Sequence, residues 1–178
     1  LERPTIGWLD LDTGTETPIF TPGPEADFIQ IAEPAISPDG ETAAFSVWHN
    51  DGNRDIFLYN FEKKQFRRMT FDAQRDISPA FTPDGRYIVF SSGRTGFYNL
   101  YALDIEKEKL FRMTNLFGGA FDPAISPDMT RIAYADYGPG GYDIHLTAFD
   151  PDSWEEAPYY PLEDRGFAPC KIGRKIGK

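Results

Sequence analysis

"PAFTPDGRYIVFSSGRTGFYNLYALDIEKEKLFRMT", Pro79 to Thr114, is the middle copy of a pattern that runs three times through the chain. Its first seven residues recur as "PAISPDG" (Pro34 to Gly40) and "PAISPDM" (Pro123 to Met129), so that Pro38, Pro83 and Pro127 stand 45 and 44 residues apart. A second marker keeps the frame. "RDIFLYNFE", "YNLYALDIE" and "YDIHLTAFD" align on Asp55, Asn99 and Asp143, with both gaps equal to 44. A third is "FRRMT" (Phe66 to Thr70) and "LFRMT" (Leu110 to Thr114), again 44 apart. Three markers that hold one period define a repeat of the length used by propeller blades.

Within each period the texture is that of strands. "TAAFSVW" (Thr42 to Trp48), "RYIVFSS" (Arg86 to Ser92) and "RIAYADY" (Arg131 to Tyr137) are short runs rich in β-branched and aromatic residues, with turn residues on both sides. "DIFLYNF" and "NLYALDI" supply another strand. A charged hairpin then leads to "FRRMT" or "LFRMT", and "PAIS" or "PAFT" opens the next unit. Four short antiparallel strands per period predict one blade. The Ser/Thr-Pro-Asp-Gly element is the hairpin between the first two strands. Ser37, Thr82 and Ser126 can bond locally, Pro38, Pro83 and Pro127 set φ near −65°, Asp39, Asp84 and Asp128 suit the next position, and Gly40 and Gly85 supply a positive φ. Met129 takes the glycine's place in the last copy, so that hairpin is expected to be slightly reshaped.

The 178 residues suffice for one domain with a core, and 40% hydrophobic and 15% aromatic content excludes a disordered chain. A net charge of −10 argues against nucleic acid, which needs clustered Lys and Arg. No run reaches the roughly 18–20 apolar residues of a membrane span. No signal-peptide pattern is read at the start, and a first residue Leu1 fits a processed chain or a fragment. The last eight residues, "KIGRKIGK", carry Lys171, Arg174, Lys175 and Lys178 and no acid. Such a 171–178 tail suits an anionic surface, a membrane complex or an acidic partner; the alternative is a frayed, solvated terminus. Cys170 stands alone, so no internal disulfide is expected.

The sequence holds little chemistry. There is no G-x-S-x-G elbow and no H-E-x-x-H spacing, and His49 and His145 fall at different places in the repeat. No catalytic, metal or cofactor residues are assigned. "DLDTGTE" (Asp10 to Glu16) reads as a hairpin tip. Asp55, Asn99 and Asp143 recur once per unit and either cap their own loops or gather toward a ligand at one face. Loop aromatics beside arginine, and aromatics between prolines, suit protein contacts. The expected contact residues are Arg94, Phe97, Tyr98, Phe121, Tyr159, Tyr160, Phe167, Lys171, Arg174 and Lys175.

These markers resemble the TolB-type repeat, a relative of the WD-type repeat, from about Ala32 to Asp150, and more weakly in "GWLDLDTGTETPIFT" (Gly7 to Thr21). The resemblance implies a propeller that offers its faces to protein partners, often in the bacterial periplasm; related blades occur in prolyl-oligopeptidase-type hydrolases and oligogalacturonate lyases. The expected fold is all-β, a partial or open β-propeller of about 3.5 blades. It comprises a half blade at 5–21, blades at 34–70, 79–114 and 123–162, and a basic extended tail at 164–178. This is fewer than the four blades that usually close a ring, so the open edges are expected to be covered by a permanent protein partner: a second copy, another subunit or a missing part of the same polypeptide. The function expected is a non-catalytic interaction scaffold, an accessory extrinsic subunit of a larger complex, a membrane-bound one included. The alternatives are the propeller portion of a hydrolase or lyase and a small-ligand or sugar-binding propeller. A periplasmic location is expected from the resemblance, with cytoplasmic and membrane-peripheral ones as alternatives.

Overall fold

The computed structural model describes residues 5–22 and 28–158. Tyr159, Tyr160, Phe167, Cys170, Lys171, Arg174 and Lys175 lie outside the described residues. Fourteen strands form four antiparallel sheets. The first sheet holds β1 (Ile6–Leu9) and β2 (Glu16–Phe20). The second holds β3 (Phe28–Ile36), β4 (Thr42–His49), β5 (Arg54–Asn60) and β6 (Gln65–Arg68). The third holds β7 (Asp76–Phe81), β8 (Tyr87–Ser92), β9 (Asn99–Asp104) and β10 (Lys109–Arg112). The fourth holds β11 (Ala120–Ile125), β12 (Arg131–Gly138) and β13 (Gly141–Ala148). After a short 3₁₀ turn at Pro151–Ser153 comes β14 (Glu155–Ala157). Among the described residues no strand pairing joins the first sheet to the last, and the fold is a partial, open propeller.

The sheets pack face to face, and that is why the middle strands read as continuous apolar runs. A strand covered on both faces has no polar side to alternate with. Every residue of β8 and β9 is buried. Phe45, Val47, Phe57 and Tyr59 face Phe20 of the first sheet. Ala44, Ile56 and Leu58 meet Ile88, Phe90, Tyr101 and Leu103 across the next junction. Val89, Leu100 and Ala102 meet Ile132, Tyr134 and Phe149 across the last. Full burial of one such aliphatic or aromatic side chain contributes roughly 1.5–3 kcal/mol.

The three Ser/Thr-Pro-Asp turns are built alike. The Ser37 hydroxyl donates to Asp39 and accepts from the Thr42 amide at 2.9 Å. Thr82 does the same between Asp84 and the Tyr87 amide, and Ser126 between Asp128 and the Arg131 amide. The expectation that Met129 reshapes its turn is corrected. Met129 adopts φ 56°, beside 75° for Gly40 and 71° for Gly85, and its amide closes on the Ser126 carbonyl as in the other copies. The repeated side-chain bonds hold the turn, and the Met129 side chain gains contact with the core between the third and fourth sheets. These oppose a left-handed cost of roughly 1–2 kcal/mol.

The Ser126 hydroxyl, then the Thr130 amide, hold the Asp128 carboxyl down to about 2, and Ser37 and the Glu41 amide lower Asp39 in the same way. A folded pKa below the unfolded value means that the carboxylate's contribution is complete above about pH 4 and is lost as the pH falls through about 2. Amide exchange at Thr130 and Arg131, corrected for intrinsic rates, is therefore expected to accelerate between pH 4 and pH 2. Unchanged protection would refute this role for Asp128.

Two features of the first and last strands were not visible as such in the repeat. Each first strand is broken by a bulge, at Glu33, Ser78 and Asp122, all non-glycine residues with φ of 51–56°. They precede Pro34, Pro79 and Pro123 and line up across the sheets. Glu33 accepts from the Ser78 amide at 2.8 Å, and the Ser78 hydroxyl donates to Asp122 at 2.6 Å. The second feature corrects the boundary drawn at 123–162. Residues 155–157 stand where a fourth strand of the last sheet was expected, but β14 pairs instead with β10 and extends the third sheet to five strands. Trp154 packs on Tyr87, Phe111 and Phe149, while Glu155 and Glu156 meet Arg112 and Lys109. Opposite charge and a partly buried indole draw the segment to the neighbouring edge. Among the described residues the last sheet has three strands.

Candidate functional site

The per-blade Asp/Asn residues lie just inside β5, β9 and β13, and in the first two blades they close onto the chain that leaves the fourth strand. Asp55 is fully buried, with Arg68 at 2.5 Å, the Thr70 hydroxyl at 3.3 Å and His49 Nε2 at 3.1 Å. Asn99 accepts from the Thr114 hydroxyl at 2.9 Å and the Leu116 amide at 2.7 Å. The two threonines in turn accept from the amides of Ile56 and Leu100. These groups lock backbone in separate blades and do not converge on a ligand. Asp143 is exposed in β13. His49 ends β4 and packs against Phe28 and Phe57; His145 is half-exposed, 3.6 Å from Asp136.

A denser charge cluster sits between the second and third sheets. Asp55, Asp72 and Asp76 each place an oxygen within 4.8 Å of the others. Two guanidiniums occupy that ground. Arg94, expected to be a loop contact, is only 11% exposed. It reaches Asp76 at 3.1 Å, Asp72 at 3.2 Å and the Ser92 hydroxyl at 2.8 Å, and lies over the Tyr101 ring at 4.6 Å. Arg68 reaches Asp55 from the other side. Burial pushes Asp76 up to about 6 against the pull of Arg94, and raises Asp55 against His49 and Arg68. A divalent cation wants converging free oxygens; here each of the three carboxylates already faces a guanidinium. The cluster is an ion network that joins two blades. An open groove of about 460 Å³ runs past it, bordered by Asp72, Arg94, Arg112 and Glu155.

Of the other expected contact residues, Phe97, Tyr98 and Phe121 are among the described residues and stand beside further aromatics. Phe97 is half-exposed and meets the edge of Phe117, which is 87% exposed, at 6.0 Å. Tyr98 lies 4.9 Å from Phe121, Phe121 lies 5.9 Å from Tyr142, and Tyr142 lies 4.9 Å from Tyr137. This aromatic strip runs from the third sheet onto the outer face of the fourth. Sequence reasoning missed Phe117, Tyr137 and Tyr142, because only the β12–β13 register sets Tyr137 opposite Tyr142.

The strip borders the most informative surface of the molecule. Ala44, Ile56 and Leu58 seal the second sheet to the third, and their repeat mates Val89, Leu100 and Ala102 seal the third to the fourth. The next mates are Ala133, Ile144 and Leu146. Ile144 is 76% exposed and Leu146 is 59% exposed. Among the described residues nothing covers this blade-to-blade face, a kind of apolar patch that marks interaction sites.

Antiparallel sheets of two to five strands, packed face to face at a 44–45-residue period, define a propeller module. The family model described as the TolB beta propeller domain matches residues 3–157, and the chain belongs to that family. It is 30% identical over 80 residues to the Protein TolB homolog of Chlorobaculum tepidum, which covers 45% of this chain and 18% of that protein. It is also 30% identical over 76 residues to Dipeptidyl-peptidase 5 of Porphyromonas gingivalis, covering 40% of this chain and 11% of that one. Among solved structures it is similar to TolB from Acinetobacter baumannii, with a TM-score of 0.71 and 28% identity over 90% of this chain and 39% of that one. The chain thus matches less than a fifth of the length of these two curated relatives.

Proposed function

We propose that this chain is a non-catalytic protein-interaction scaffold, an accessory component of a larger assembly in the bacterial periplasm. The observation that carries the reading is the open blade face of Ala133, Ile144 and Leu146, whose repeat mates are buried at both preceding junctions. Next to it, Phe97, Phe117, Tyr137 and Tyr142 offer exposed aromatic area of the kind that anchors interfaces. In the one dense cluster of carboxylates among the described residues, each carboxylate is paired with an arginine of the fold, which supports binding over chemistry. Native mass spectrometry of the chain purified from its own cells is expected to show a stoichiometric complex. A soluble monomer that resists proteolysis would overturn the reading.

A further inference from the structure

We propose that the free edge of β13 receives an extended strand from a partner polypeptide, of the Arg-Met-Thr kind that closes the second and third sheets. The inference rests on the scaffold reading and specifies its partner.

The edge is prepared for a strand. The Phe149 amide donates to the Thr130 carbonyl at 3.0 Å, which sets the alternation along the β12–β13 ladder. Gly141, Asp143, His145 and Thr147 thus bond toward β12, and the amides and carbonyls of Tyr142, Ile144, Leu146 and Ala148 point outward. Among the described residues no strand pairs with them. At the same place β5 carries β6, and β9 carries β10.

The missing strand can be described from its two counterparts. In "QFRRMT" and "KLFRMT" a large apolar residue, Phe66 or Leu110, stands two before Arg68 or Arg112, and a threonine ends the segment two residues after that arginine. Arg68 and Thr70 close on Asp55, and Thr114 closes on Asn99. Asp143 is the third member of that series and stands exposed without either group. A strand that brings a cation and a hydroxyl in the same spacing would complete it.

Other occupants fit less well. The chain's own segment 44 residues after "KLFRMT" is "SWEEAP", in which Glu156 replaces the arginine and Pro158 the threonine. Those residues would repel Asp143 and offer no hydroxyl, and Glu155–Ala157 is held on β10. Residues 159–178 contain no Ser or Thr. In a second copy, β6 and β10 are already paired within their own sheets.

The test uses the full chain and a labelled synthetic peptide copying residues 62–72, "EKKQFRRMTFD". Fluorescence anisotropy is expected to show saturable binding, and hydrogen exchange to slow at Tyr142, Ile144 and Leu146. A peptide with Arg68→Gln and Thr70→Val is expected to bind about tenfold more weakly. Asp143→Ala in the chain should remove most of that difference. Protection of these amides in the free chain at every dilution would show that the chain covers its own edge, and protection lost on dilution would show a second copy. Either result overturns the proposal, as does peptide binding that protects other strands or no binding at all. If the native complex exists but its footprint avoids β13, the scaffold reading survives and this inference falls.

Discussion

Arg94→Met is expected to destabilise the chain by about 3–5 kcal/mol, the usual cost of removing one partner from a buried charge group. Asp76 is fully buried and Asp72 is mostly so, and the same guanidinium faces both. Methionine keeps much of the contact with Phe90 and Tyr101 but leaves two carboxylates 4.8 Å or less apart without their cation. Chemical denaturation reads the loss. The pH dependence tests the cause. Asp76 already titrates near 6 in the folded chain, above its unfolded value, so it favours folding by taking up a proton as the pH falls. Without Arg94 that uptake becomes stronger. The deficit of Arg94→Met should therefore shrink from pH 7 to pH 5, and adding Asp76→Asn and Asp72→Asn should recover part of it. A loss below about 1 kcal/mol at pH 7 would show the network to be well hydrated.

The second large effect is a contrast between repeat mates. Ile56→Ala removes a fully buried side chain between two sheets and is expected to cost about 2–5 kcal/mol. Ile144→Ala changes the equivalent residue on the open face. In the isolated chain it should stay within about 0.5 kcal/mol, as surface substitutions do. In the native complex the order is expected to reverse in kind. Ile144→Asp should release the partner, because a charge buried in an apolar interface without a counter-ion is strongly disfavoured. Equal costs for the two alanine variants in the isolated chain would mean that the outer face is covered in solution.

Much of the fold is legible because a propeller writes each blade as a local unit. The turn at Pro38, Asp39 and Gly40 recurs at Pro83, Asp84 and Gly85, and at Pro127 and Asp128, since a hairpin needs only neighbours in sequence. The shape of the Met129 turn was misread for the opposite reason. Conformational preference alone disfavours a non-glycine residue there, while the Ser126–Asp128 and Ser126–Arg131 bonds hold the backbone. Arg94 was misplaced because a loop arginine beside aromatics looks the same whether it faces solvent or two aspartates from the loop and strand before it. Asp72 and Asp76 are 22 and 18 residues away in sequence.

By itself the sequence determined the repeat length, the all-β texture, the per-blade turns and the shortage of blades. All of these follow from hydrophobic pattern and turn chemistry read over a few residues at a time. The tertiary structure decided what lies between blades. It joined Arg94 to Asp72 and Asp76, moved Glu155–Ala157 onto β10, and left Tyr142, Ile144 and Leu146 uncovered at the end of the arc. The physical reason is that a blade face has the same composition whether or not a neighbour covers it. Only the placement of the sheets shows which face has found its partner.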